Sequence, residues 1–578
     1  MALLRPLDYE YTEREMVDVF GGYNHQLKID AGEFYDMKNL SSSLYPLMSN
    51  RKKRGRVQTL TAPGGLLAKE HLAYVDDGTL YYNNEVTPVT GLAAGDKQLV
   101  SMGAYIVIFP DKKYYNTDDP TDYGSLEAVY TSTGNVKFRM CKKDGTEYDN
   151  ATKSATAPEE PENGDLWIDI SQTQHVLKQY SAATSEWTSI ATVYTKITFI
   201  SEGEVPGLFK EYDGITISGA EADVNGEKVI YGIGQDENNF DYIIVVGLLD
   251  EIVDQTTGFV KLERNTPDMD FVCECQNRLW GCKYGNNLNE IYCCALGDFK
   301  NWRQYMGLST DSWTASVGTD GPWTGCVNYL GMPIFFKDNH MHKVGISATG
   351  AHQLTDMPCR GVQQGSSKSL VVVNETLLYK NRAGVCAYQG GFPSMISAQF
   401  GEQLFTDAVA GTVGDKYYIS MTDGKQWYLL VYDVRRGLWI HEDDLHVTSF
   451  AALGDELYAI SYDNGLLALN GTEGDLEPFV EWEAETGMLY YQMPDRKYVS
   501  RFNVRLFMEE GAELDIFMEY DSNGEWKRQG RIKKRGTNTV TVPIRPRRCD
   551  HCRIKIVGKG EVKLYSIAKI LVYGSDVG

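Results

Sequence analysis

Seven short stretches of this chain share one pattern: an apolar strand, a tight turn, a second apolar strand rich in Tyr and Leu, another turn, and a third strand. His71–Val89, Lys97–Thr117, Asp270–Asp298 and Gly325–Ser347 carry it, and three further units begin at Ser369, Ala410 and Ser449. In the last five units the first turn falls at Asn277, Gly331, Asn374, Asp415 and Asp455, at spacings of 54, 43, 41 and 40 residues. A repeated all-β unit of roughly 40 residues is the mark of a β-propeller. Asn, Asp and Gly stand at the turns because tight hairpins need positive φ, which these residues adopt cheaply. There is no Trp-Asp dipeptide and no sialidase-type Asp box, so the pattern predicts six to eight blades without naming a subfamily.

The fold class predicted is therefore all-β, with the propeller over residues 67–475. Residues 1–66 read as an extended arm of Gly, Asn, Ser and Pro with isolated aromatics, ending in the basic run Arg51-Lys-Lys-Arg54 before Gly55. Residues 126–190 interrupt the repeat as an inserted β module. Residues 480–578, with longer alternating strands such as Val499–Glu510 and Val562–Gly574, read as a C-terminal β-sandwich with one face of each sheet buried.

Thirty-seven Tyr, ten Trp and only 18 Pro agree with β structure rather than disorder. A formal charge of −23 argues against gripping nucleic acid by its phosphates, which needs clustered Lys and Arg. The opening residues lack the apolar core of a signal peptide, and no run approaches 18 apolar residues, so neither secretion by that route nor membrane insertion is expected. Eleven scattered Cys suit a reducing compartment, and the glycosylation-like triplets at Asn39 and Asn470 carry no weight there.

Few constellations suggest chemistry. Cys549-Asp-His-Cys552 lacks the second ligand pair that tetrahedral zinc needs, so no metal is expected. Cys273, Cys275, Cys282, Cys293 and Cys294 read as small core residues of strands. Asp433, Glu442, Asp443 and Asp444 around Trp439 are the residue types of a glycosidase pair, against a plainer reading as solvated loop acids. Gly232-Ile-Gly234 precedes no helix and is no dinucleotide fingerprint. No cofactor and no catalytic residue is predicted. In the inserted module Trp167, Tyr180 and Trp187 can stack on sugar rings, or else form the module's own core.

Tyr35-Asp-Met-Lys-Asn39, Tyr45-Pro46 and Lys53-Arg-Gly55, followed by the propeller, resemble the opening of the nozzle or tail-hub proteins of short-tailed bacteriophages, also called packaged-DNA stabilisation proteins. Asn277-Arg-Leu-Trp-Gly281 and Gly297-Asp-Phe-Lys-Asn-Trp302 resemble the blade signature of the same group, in which the segment ends in a strand closing with Trp. The family's Arg-Pro-Gly step lacks its Pro here. The resemblance implies a non-enzymatic virion protein of the tail, made in the host bacterial cytoplasm. It implies a homo-oligomeric ring, usually sixfold, that hangs from adaptor or portal proteins, docks fibres or spikes, and lets DNA pass without specific binding. In that reading the arm reaches a neighbouring chain through Tyr23, Asn24, Tyr35, Arg51, Lys52, Lys53 and Arg54. The acidic turns at Asp76, Asp77, Asp415, Asp423, Asp455 and Asp463 then line one rim, and the Arg545–Arg553 patch contacts other chains. The alternative is a carbohydrate-binding or glycan-cleaving receptor-binding tail protein that uses Trp167, Tyr180 and Trp187.

Overall fold

The computed structural model describes residues 11–200, 205–285, 289–347, 350–490 and 496–573. The opening segment read above for a signal peptide lies partly outside the described residues, as residues 1–10 do. The chain is all-β: among the described residues, helix is limited to Val205–Leu208 and two 3-10 turns. It combines β-propeller blades, an inserted β region and a C-terminal β-sandwich. Two compact units contain these, residues 1–97, 321–344 and 354–578 in one and residues 98–320 with 345–353 in the other.

The first unit holds blades made of four antiparallel strands in sequential order. One is Pro63–Ala68, Leu72–Asp76, Thr79–Tyr82 and Glu85–Val86. Another, Thr406–Val413, Lys416–Thr422, Trp427–Asp433 and Leu438–Asp443, is the most apolar, because both of its faces are covered. In the last blade Val447–Leu453, Glu456–Ser461 and Gly465–Ala468 are completed by Gly55–Thr59 from the N-terminal segment, paired antiparallel on Gly465–Ala468. The turns behave as their residues require. Leu330 and Gly331, and Asn374 and Glu375, all take positive φ in two-residue hairpins. At the last two repeats the positive φ falls on Gly414 and Gly454 rather than on the adjoining Asp415 and Asp455.

The sandwich is built from both ends of the chain. In one sheet Val562–Tyr573 lies between Lys497–Met508 and the N-terminal strands, with Tyr11–Val17 and Met48–Asn50 both paired to it. The other sheet runs Asp36–Lys38, Glu481–Glu485, Cys552–Lys559, Glu513–Tyr520, Lys527–Ile532. Alternation from Phe502 to Met508 buries Phe502, Val504, Leu506 and Met508 against Leu514, Ile516, Met518 and Ile556. Phe20, Tyr23, Phe34, Met37 and Met48 belong to the same core. The extended arm expected over residues 1–66 is thus corrected: within residues 11–59, Tyr11–Val17, Asp36–Lys38, Met48–Asn50 and Gly55–Thr59 are strands of the chain's own sandwich and last blade.

In the second unit, two further blades begin at Gln98 and Phe271 and share a core of Val107, Leu279, Phe299 and Trp302. Six four-stranded sheets of blade type, and the five-stranded last blade, thus occur among the described residues. The insertion does not end at residue 190. Val136–Cys141 pairs with Tyr194–Phe199 and Val253–Gln255, so the chain returns to blade structure only after Lys261–Arg264. The small module at its tip has four strands, Ala151–Ser154, Leu166–Asp169, Val176–Ser181 and Glu186–Ser189, the first pair parallel.

Candidate functional site

The residues that carried the resemblance converge on one clasp. Arg54 is 6% exposed; its guanidinium donates to Glu442 Oε2 at 2.9 Å and to Asp443 Oδ2 at 2.5 Å. Arg51, also buried, meets both oxygens of Glu477 at 2.8 and 3.1 Å and Asn39 Oδ1 at 2.6 Å. Gly55 is required at its place, because a Cβ there would lie 1.8 Å from the carbonyl oxygen of Glu473. Burial pushes the Asp443 carboxyl upward, but the Arg54 charge outweighs it and holds the group below the usual carboxylate range.

Other arm residues are spent the same way. Tyr23 is buried with its hydroxyl on Gln403 Oε1 at 2.7 Å, and Asn24 donates to Glu33 at 2.8 Å. The Tyr35 ring stacks on His25 at 4.1 Å, with the Arg553 guanidinium 5.0 Å from the Tyr35 ring centre. Lys38 pairs with Asp444 at 2.6 Å, and His441 sits between Asp36 (3.4 Å) and Asp444 (3.6 Å). Two expectations are corrected here. Tyr23, Asn24, Arg51 and Arg54 are enclosed by their own chain, whereas Lys52 and Lys53 are exposed. Glu442 and Asp443 pair with Arg54, the exposed Asp444 with Lys38, and Asp433 with Arg436 at 2.8 Å, so the acids around the buried Trp439 are held in ion pairs, three of the four with arm residues.

The other motifs are structural too. Buried Arg278 donates to the carbonyls of Cys294, Asp311 and Ser309 at 2.7–2.8 Å, and Trp302 lies in a bend rather than closing a strand. Cys294 Sγ accepts the Leu279 N–H at 3.0 Å, as a packed core thiol does. Cys549 and Cys552 are buried and form no disulfide, and among the described residues no cluster of three or more His, Cys, Asp or Glu is arranged for a metal. Of the basic patch, Arg553 and Lys555 form ion pairs with Glu485, while Arg545, Arg547 and Arg548 are exposed.

The inserted module presents the clearest binding geometry. Leu166, Ile168 and Leu177 fill its core. Trp167 alternates with them and pairs across to Lys178, and Tyr180 pairs with Trp187, so these four side chains share the opposite face. The Trp167 and Trp187 rings meet edge-on at 5.5 Å, Tyr180 lies 5.3 Å from Trp187, and the Lys178 ammonium sits 4.6 Å over Trp167. Trp167 itself is covered; Tyr180 and Trp187 are half-buried and form the reachable part. The aromatics therefore do not form the module's core.

No protein-family model matches the chain, and no curated protein matches it. Among solved structures it is similar to exo-beta-1,3-galactanase from Phanerochaete chrysosporium with galactose, at 9% identity over 52% of this chain and 95% of that one, with a TM-score of 0.22. It is also similar to Hsv2 of Kluyvelomyces marxianus (10% identity, 53% and 98% covered, TM-score 0.24). The extracellular domain of a hybrid two component system from B. thetaiotaomicron is a third (8% identity, 93% and 98% covered, TM-score 0.16). At these scores the likenesses carry no argument about activity.

Proposed function

We propose that this chain is a carbohydrate-binding, receptor-reading component of a bacteriophage tail. The observation that carries the binding reading is the module face on which Trp167, Lys178, Tyr180 and Trp187 gather away from the core. Rigid rings with polar edges suit the apolar faces and hydroxyl rims of pyranoses. The tail context rests on the resemblance of the N-terminal motifs and the blade signature. A glycan array with the intact protein tests it: retained glycans that are lost on Trp187→Ala, with an unchanged circular dichroism spectrum, support the reading. An array that stays blank at millimolar ligand removes it.

The second reading is the nozzle or hub ring around the DNA path. Its support is the clasp, since the motifs that carry the resemblance here tie Asp36–Lys38 to Glu481–Glu485 and Gly55–Thr59 to Gly465–Ala468. Such double anchoring suits a part that bears load during ejection. Immunogold labelling of particles separates the two, with tips of fibres expected for the first reading and the tail axis for the second.

A further inference from the structure

A second aromatic array lies on the propeller itself, at the ends of neighbouring blades within the first unit. Trp427 opens the third strand of one blade. His446 and Tyr462 flank the first hairpin of the last blade, one position beyond the Val447–Ser461 pair, joined by a Tyr462 N–H to His446 carbonyl bond of 3.0 Å. The three rings form a column: Trp427 and His446 are 3.5 Å apart and 7° from parallel, and His446 and Tyr462 are 4.7 Å apart and 14° from parallel. Tyr462 ends the column with 73% of its surface exposed, so one ring face is backed and the other is open.

The column borders a cavity of about 500 Å³ between the first strands of three blades, beside Lys368, Thr448, Ser449 and Asn464. Its lysine is already paired, to Asp96 at 2.7 Å and to the Thr448 carbonyl at 3.2 Å. Among the described residues, neither the Trp427 indole N–H, nor the His446 ring nitrogens, nor the Tyr462 hydroxyl makes a hydrogen bond. A lone exposed Tyr needs no explanation. A stacked column whose polar edges are all unspent, at the mouth of a cavity walled by hydroxyls and amides, has the make-up of a small-molecule site.

We propose that the Trp427–His446–Tyr462 column and the adjoining cavity bind a neutral carbohydrate, one pyranose stacking on the open face of Tyr462 and its hydroxyls meeting the free ring edges and the cavity wall. The backed ring is held in one orientation before binding, so little side-chain entropy is lost. Neutral rather than acidic sugar follows from the paired lysine. Single-stranded nucleic acid, which also stacks on aromatics, needs a basic track for its phosphates, and neither the cavity nor a chain of charge −23 supplies one. The site shares only its ligand class with the inserted module and stands or falls separately.

Isothermal titration of the full chain with maltohexaose, cellohexaose and chitohexaose, with a dT20 oligonucleotide alongside, tests it. At least one of the three sugars is expected to bind, with Tyr462→Phe retaining affinity, Tyr462→Ala losing about tenfold or more, and Trp187→Ala leaving this binding unchanged. Because Tyr462 is exposed, its Ala variant keeps the fold, which the far-ultraviolet spectrum verifies. Binding lost only on Trp187→Ala overturns the column site while sparing the module reading. Binding of dT20 alone, or sugar binding indifferent to Tyr462→Ala, also overturns it, and silence of all three sugars overturns it while leaving the module reading to the glycan array.

Discussion

Arg54 and Lys53 are adjacent in sequence and opposite in physics. Arg54 is enclosed with Glu442 and Asp443, and removing one partner of a buried ion pair leaves the other charge unpaired in low dielectric, at a cost of about 3–5 kcal/mol. Lys53 is exposed, with its ammonium on the Pro478 carbonyl at 3.0 Å, and surface changes of that kind stay within about 0.5 kcal/mol. Urea unfolding should therefore show a clear fall in midpoint for Arg54→Ala and almost none for Lys53→Ala. His441 adds a pH dependence. Burial alone would lower its pKa, but hydrogen bonding and charge from Asp36 and Asp444 raise it above the usual histidine value. Asp36 is lowered, and Asp444 is held at about 2, chiefly by its bond to His441. A raised His pKa stabilises the fold below the unfolded value and loses that contribution as pH rises through the folded one; the lowered carboxylates contribute above their unfolded values and lose it as pH falls through their folded ones. The pair of effects leaves a window above the carboxylate range and below the histidine range. The Tm loss on His441→Gln should be largest near pH 5–6 and shrink by pH 8, and a loss that is flat in pH would show that His441 acts by packing alone.

Blades were legible because each carries its own punctuation: two apolar strands around a turn whose residues tolerate positive φ, as Asn374 and Gly331 do. The arm was not, because its strands are two to seven residues long and their partners lie hundreds of positions away, as Met37 opposite Ala484 and Gly55 opposite Ala468. In sequence Tyr23 looks like a contact to a neighbouring chain, whereas it fills the chain's own core beside Phe20. The insertion was underestimated since apolar runs such as Asp241–Val246 look like blade strands and differ only in partner. The Trp427–His446–Tyr462 column spans two blades, and its one local signal was an aromatic at each end of the hairpin Val447–Ser461. These pairings set the outcome of truncation. Deleting residues 1–50 removes Tyr11–Val17, Asp36–Lys38 and Met48–Asn50 from the two sandwich sheets and takes Phe20, Phe34, Met37 and Met48 out of the shared core. The truncated protein should be insoluble or cut rapidly by protease within residues 480–573. A soluble product with native near-ultraviolet signals would mean that the sandwich stands without its N-terminal strands.

For the whole molecule, a charge of −23 needs a location, and the acidic turns do not form one rim. Successive turns of an antiparallel meander alternate between its two ends, so Asp415 and Asp455, in first turns, lie at one end of their blades while Asp423 and Asp463, in second turns, lie at the other. Several also have local work: Asp76 accepts the N–H groups of Thr61 and Ala62, and Asp463 pairs with Arg56. Acid stands at both ends and Arg51 and Arg54 are neutralised inside, while Lys52, Arg545, Arg547 and Arg548 are among the cations that stay exposed. Such a surface gives DNA no continuous grip, since each phosphate held needs its own cation and releases its own counterion. Duplex DNA should therefore show no retention by this protein at about 50 mM salt and above, in gel shift or in sedimentation. The hub reading adds a second demand, that mass measurement at micromolar protein return a ring, six copies in the usual case. A ring that does not retain DNA supports passage without sticking. A chain that stays monomeric, alone and when added back to particles lacking it, removes the hub and leaves the carbohydrate-reading role.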